Sequence, residues 1–78
     1  MSETPVKKLD CRGDQCPLPI LKTKKEIQTI KIGEILEVWS TDPGSKEDFP
    51  RWAERTGNQL LKVEEKNGYW VYLIKRLK

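Results

Sequence analysis

Apolar residues recur along this chain at two different spacings, and the changes between them mark out six segments. Val6 to Asp10 reads as a short strand, followed by a turn through Cys11, Arg12, Gly13, Asp14 and Gln15. A helix is expected to open at Cys16, because Pro17 suits the first helical position and Pro19 still falls within the first turn. Ile20, Thr23, Ile27 and Ile30 then share one helical face, while Lys22, Lys25 and Glu26 fall away from it. The helix should end at Lys31-Ile32-Gly33, and Glu34 to Ser40 resumes as a strand.

Asp42-Pro43-Gly44 breaks the chain, and a second helix lies between Ser45 and Thr56, closed by Gly57-Asn58. Its start is ambiguous. Ser45 with Asp48 resembles a capping box, yet Pro50 would then sit inside the helix, so an irregular first turn and a regular helix from about Pro50 are expected. Phe49, Trp52, Ala53 and Thr56 form its inner face. Gln59 to Lys66 and Tyr69 to Leu77 read as strands joined at Asn67-Gly68, a pair suited to a type I′ hairpin turn.

The order β-α-β-α-β-β predicts an α+β two-layer sandwich, with both helices on one face of a four-stranded mixed sheet. Strands one and two, joined across a helix, should run parallel. Residues 1–5 read as a flexible tail and residues 6–78 as a single domain. The last strand alternates Trp70, Tyr72 and Ile74 against Val71 and Leu73. Both faces of the sheet are therefore apolar, and the face without helices is either a docking area or ordinary surface shaded by long lysine stems.

Seventy-eight residues give a thin core and no room for a deep enclosing cleft, which favours a carrier or binding module over a free-standing enzyme. No apolar run approaches the roughly 18 residues that span a membrane. The N-terminal residues lack the apolar stretch of a secretory signal, so a cytoplasmic protein is expected, in which cysteines stay reduced. The net charge of +3 is spread among twelve acidic residues, so direct nucleic-acid binding is not the favoured use of it. Histidine is absent, which removes Ser-His and Cys-His dyads and most zinc sites. The remaining chemistry belongs to a thiol, a carboxylate or a lysine, and neither a metal nor an organic cofactor is implied.

Cys16-Pro17-Leu18-Pro19 carries the sharpest signal. As an N-cap, Cys16 would lie beside the unpaired amides of the first turn, where Leu18 is the main free donor because the prolines have none. Such a position lowers a thiol's pKa, and Arg12 and Lys22 nearby would add to the effect. The same field would stabilise a persulfide. A buried cysteine that only packs is the plainer alternative.

Leu9-Asp10, Gly13 and Cys16-Pro17-Leu18-Pro19 resemble the TusA/SirA-like family of sulfur carriers. The likeness continues through Gly33-Glu34, Asp42-Pro43, Asp48-Phe49-Pro50 before Trp52, and the final strand with Leu73-Ile74-Lys75. The resemblance implies the βαβαββ fold and a persulfide carried on Cys16, with Asp10, Arg12, Gly13, Pro17, Leu18 and Pro19 supporting the site. It also implies a donor, such as a cysteine desulfurase or rhodanese-type protein, and an acceptor that is DsrE-like or another thiol carrier. Pathways served by such carriers include tRNA thiolation. Asp14 departs from the family pattern, where a hydrophobic residue is common; pointing inward it would oppose thiolate formation, so it is expected to face solvent or a donor's basic residue.

Cys11 is a second thiol, expected to pack, with a resolving role toward Cys16 as the alternative. Arg12, Lys22, Phe49 and Arg51 are candidate rim residues for docking. The leading expectation is a monomeric sulfur-relay subunit. A thiol-disulfide protein using Cys11 and Cys16, or a nucleic-acid-binding regulatory module, are the alternatives.

Overall fold

The structure, a computed structural model, describes residues 4–78, so the first three positions of the expected tail lie outside the described residues. The elements follow as β1 (Lys7–Cys11), α1 (Leu18–Ile27), β2 (Ile35–Ser40), α2 (Ser45–Thr56), β3 (Gln59–Lys66) and β4 (Tyr69–Lys75). The sheet order is β1-β2-β4-β3, with β1 parallel to β2 and the other pairs antiparallel. The expected α+β sandwich with a four-stranded mixed sheet is thus the observed fold.

Alternation in the strands selects the core. Leu36, Val38 and Ser40 of β2 point to the helices, opposite Ile74 and Tyr72 of β4 and beside Leu9 and Cys11 of β1. Ile27 and Ile30, with Phe49, Trp52 and Ala53 from α2, close over them. Phe49 stacks on Tyr72 with ring centroids 4.4 Å apart and meets Trp52 edge-on at 6.5 Å. The Tyr72 hydroxyl, buried with these rings, hydrogen-bonds Ser45 Oγ at 2.6 Å, which removes the cost of burying it alone.

The sheet's other face is roofed rather than bare. The Arg12 guanidinium lies 4.7 Å from the Trp39 ring centroid and 5.1 Å from that of Tyr69, and Lys8 reaches over Trp39 from β1. Val71 and Ile35 are buried on the same face. Long cationic side chains shade the apolar surface, as the plainer of the two sequence readings has it.

Local boundaries correct the sequence reading in four places. α1 starts at Leu18, not Cys16: Pro17 is the N-cap with a non-helical ψ of 13°, and Leu21 N–H makes the first helical bond to Pro17 O. α1 also ends early, at Ile27. Arg76 reaches across to donate to the carbonyls of Ile30 (2.6 Å) and Gln28 (3.4 Å), supplying partners for the carbonyls that follow the helix. α2 is helical from Ser45, with Pro50 inside it on the exposed side, where the Lys46 carbonyl it leaves unpaired is open to solvent. Ser45 Oγ donates to Asp42 O instead of capping through Asp48. In the β3–β4 turn only Gly68 has positive φ (+85°), so the turn is not type I′. Gly57 closes α2 as the sequence reading has it, in the left-handed conformation at φ +78°.

Candidate functional site

Parallel pairing of β1 and β2 brings their two following loops to one edge of the sheet. Residues 12–17 after β1 and residues 41–44 after β2 therefore face each other, with the first turns of α1 and α2 beside them. Gly13 N–H donates to Thr41 Oγ1 at 2.8 Å and ties the loops together. Cys16 stands at the junction, exposed, its backbone N–H bonded to Asp42 Oδ2 at 3.1 Å. Its thiol donates to Asp48 Oδ2 at 3.2 Å.

The sulfur thus looks toward α2, not along α1. Leu18 N–H, expected to be a free donor, is bonded to Gln15 O at 2.8 Å in the turn that precedes α1. The expectation of a thiol acidified by a helix N-terminus is overturned. The hydrogen bond to Asp48 raises the Cys16 pKa first, and desolvation and the charges of Asp48 and Asp42 add to it. A neutral S–H can donate to a carboxylate whereas a thiolate is repelled by it, so these neighbours favour the protonated form.

The cations expected near the sulfur are committed elsewhere. Arg12 makes a two-pronged pair with Asp10, with contacts of 3.0 and 2.9 Å, on the opposite sheet face over Trp39. This bond pulls the Asp10 carboxyl below its ordinary pKa and raises that of Arg12. Asp10 also accepts from Arg12 N–H, so the pair fixes the turn into Gly13 rather than the thiol. Lys22 pairs with Asp14 at 2.5 Å, so the unusual carboxylate of the loop is met by the chain's own α1.

Of the remaining candidates, Pro17 and Leu18 are exposed beside Cys16 and Pro19 is fully buried, anchoring the first turn of α1. Phe49, a candidate rim residue, is 0% exposed and belongs to the core. Arg51 is exposed and lines a cleft between the helices together with Cys16, Pro17, Ile20, Asp48 and Arg55. A second depression, on the loop side, is lined by Gly13, Asp14, Cys16, Thr41, Asp42 and Pro43. Cys16 is shared by both hollows and can be approached from either.

Cys11 is fully buried at the end of β1, and burial pushes its thiol up to about 11. Both cysteines are free thiols. Asp42 and Asp48 are neighbours of Cys16 that sequence reasoning missed. They stand 26 and 32 residues from Cys16 and were legible only as parts of the motif Asp42-Pro43 and Asp48-Phe49-Pro50. Among the described residues, Cys16, Asp42 and Asp48 present one thiol and two carboxylates within 4.8 Å of one another, and both carboxylates push the thiol's pKa up.

Comparison with known proteins gives the family and the fold. A profile of the family described as "Sulfurtransferase TusA" matches residues 7–76. The chain is 46% identical over 68 residues to the sulfur carrier protein TusA of Allochromatium vinosum, covering 87% of this chain and 90% of that one. A relative from Archaeoglobus fulgidus is 36% identical over 70 residues, covering 90% of this chain and 96% of its own length. The crystal structure of a SirA-like protein from Desulfitobacterium hafniense superposes with a TM-score of 0.80 at 24% identity, covering 94% of this chain and all of that one, a likeness of fold.

Proposed function

The chain belongs to the TusA sulfurtransferase family, and on that premise we propose that it carries sulfur as a persulfide on Cys16. As a sulfur carrier it interacts in turn with a donor and an acceptor protein. The observation that carries the assignment to Cys16 is access. Of the two thiols, Cys16 alone is exposed, in a loop shared by two surface hollows, while Cys11 is sealed in the core. A carrier needs its sulfur reachable by two partners, and only Cys16 meets that requirement.

Donors of the cysteine desulfurase or rhodanese type and an acceptor that is DsrE-like or another thiol carrier fit this role. The carrier works as a monomeric relay subunit in the cytoplasm, where thiols stay reduced. Residues 6–78 act as one unit. Pro17 and Leu18 border the thiol, and Arg51, in the cleft that reaches Cys16, is a docking candidate, with Lys22 further along α1. No helix among the described residues is long and apolar enough to cross a membrane.

Intact mass after incubation with a cysteine desulfurase and cysteine tests the assignment. The chain should gain one sulfur atom, removable by reductant and lost in Cys16→Ser. Gain in Cys16→Ser but not in Cys11→Ser would transfer the role to the other thiol. A loss of two hydrogens under mild oxidant, with no sulfur gained from desulfurase or rhodanese, would favour a Cys11–Cys16 redox pair instead.

A further inference from the structure

A sulfur carrier's thiol must be kept from indiscriminate reaction, and the groups hydrogen-bonded to Cys16 are carboxylates rather than cations that would make it a standing nucleophile. Asp48 meets the sulfur itself at 3.2 Å, and Asp42 holds the backbone N–H of the same residue at 3.1 Å. We propose that Asp48, with Asp42 behind it, holds Cys16 as a hydrogen-bonded neutral thiol and selects sulfur donors that bring a positive charge against these carboxylates. The inference rests on the carrier reading and adds to it a specificity determinant that touches the reacting atom.

The charged groups lining the two hollows around Cys16 come from both loops and from α2. From the loop after β1 comes Asp14, already paired with Lys22 of α1. From the loop after β2 comes Asp42, and from α2 come Asp48, Arg51 and Arg55 along the cleft. Among the described residues only the Asp42 and Asp48 carboxylates bond to Cys16, and they also account for the charges that raise its pKa. The two arginines lie on the approach to the sulfur without such a bond. An incoming cation that draws Asp48 into an ion pair removes the acceptor from the thiol and the repulsion from the thiolate together.

The transfer step then balances without an oxidant. Cys16 releases its proton to water, and its thiolate bonds to the outer sulfur of the donor's protein persulfide. The donor's S–S bond breaks, its electron pair leaves with the inner sulfur, and that sulfur takes up a proton. A thiol and a persulfide have become a persulfide and a thiol. Anionic small-molecule donors meet the same carboxylates as repulsion and are selected against.

Two disulfide probes of similar size and opposite charge, cystamine and dithiodiglycolate, test the selection on the intact chain at low ionic strength. Wild type should react with cystamine faster than with dithiodiglycolate by about fivefold or more, given unit charges a few ångströms apart and little screening. Asp48→Asn should cut that ratio by at least half and move the midpoint of iodoacetamide alkylation of Cys16 to lower pH, while Asp48→Glu restores both. Circular dichroism establishes that each variant is folded, and a salt titration of wild type should shrink the ratio as well. Equal ratios in wild type and Asp48→Asn, an unmoved alkylation midpoint, or Asp48→Glu behaving like Asp48→Asn would overturn the proposal. Sulfur loading is read separately by mass: no loading with charge selection intact sinks the carrier reading, whereas loading with no charge selection sinks this one.

Discussion

Phe49 separates a docking role from a structural one, because the sequence makes it a rim candidate and the structure buries it completely. Its ring stacks on Tyr72 at 4.4 Å and meets Trp52 edge-on, so it sits at the centre of the contact between α2 and the sheet. A chain of 78 residues has a stability of about 4–12 kcal/mol at the usual value per residue. Removing a buried phenylalanine by Phe49→Ala costs about 3–5 kcal/mol, enough to unfold much of the population. Phe49→Leu is the more informative change. It keeps most of the apolar area but loses the ring pairing, worth about 0.5–1.5 kcal/mol, with repacking of about 1 kcal/mol beside it.

A total near 2 kcal/mol lowers the melting temperature of a domain this size by about 8–16 °C. Urea denaturation followed by circular dichroism reads the loss as a lower midpoint with an unchanged slope. Sulfur loading of Phe49→Leu, measured where both proteins are folded, should match wild type. An unchanged urea midpoint together with impaired loading would refute the reasoning and restore Phe49 to the partner-facing surface.

Three further outcomes are expected. In native protein a neutral thiol reagent should modify Cys16 within minutes, while Cys11 reacts only after denaturant is added; rapid modification of both would contradict the burial of Cys11. Burial raises the Cys11 thiol from its ordinary 9.0 to about 11. Its contribution to stability is therefore complete below the unfolded value and is lost as pH climbs from about 9 towards 11, because the unfolded chain then binds fewer protons. Urea midpoints measured across that range should fall more steeply for wild type than for Cys11→Ala, and parallel curves would count against the assignment. Arg76→Ala should cost about 1–3 kcal/mol by stripping the carbonyls of Ile30 and Gln28 of a charged donor, with Arg76→Lys recovering only part; no change in midpoint would show those carbonyls to be satisfied by water.

Strand alternation and helical spacing made the order of elements legible and grouped Tyr72 with Ile74 on one face of the last strand; that β2 pairs with β4, setting Leu36 and Val38 opposite them, was not in local spacing. Boundaries were harder wherever one hydrogen bond outweighs local preference. The Gln15–Leu18 turn displaces the start of α1 by two residues, and solvent on the exposed side of α2 lets Pro50 stay inside the helix. Cys16 was legible because its prolines are contiguous with it. Its carboxylate partners were not, because nothing in local spacing says that a residue 32 positions away will accept its proton. The one usable clue was topological: parallel β1 and β2 must deliver both following loops, and the starts of both helices, to the same edge.

Two thiols five residues apart illustrate why position in the fold matters more than the residue type. Cys11 and Cys16 both hold their protons above the ordinary thiol value, but for opposite reasons. For Cys11 the chief cause is exclusion from water, which also excludes reagents, so its inertness is permanent while the chain is folded. For Cys16 the chief cause is a hydrogen bond to Asp48 at an exposed site, a constraint that an incoming molecule can remove by competing for the carboxylate. The strand confers the first kind of protection and the loop between parallel elements the second. A carrier requires the second kind, since its sulfur must be quiet in solution and available at the moment of contact. The placement of Asp42 in the loop after β2 and of Asp48 in the first turn of α2, on the edge that also holds Cys16, is how this small fold can supply both conditions without a histidine.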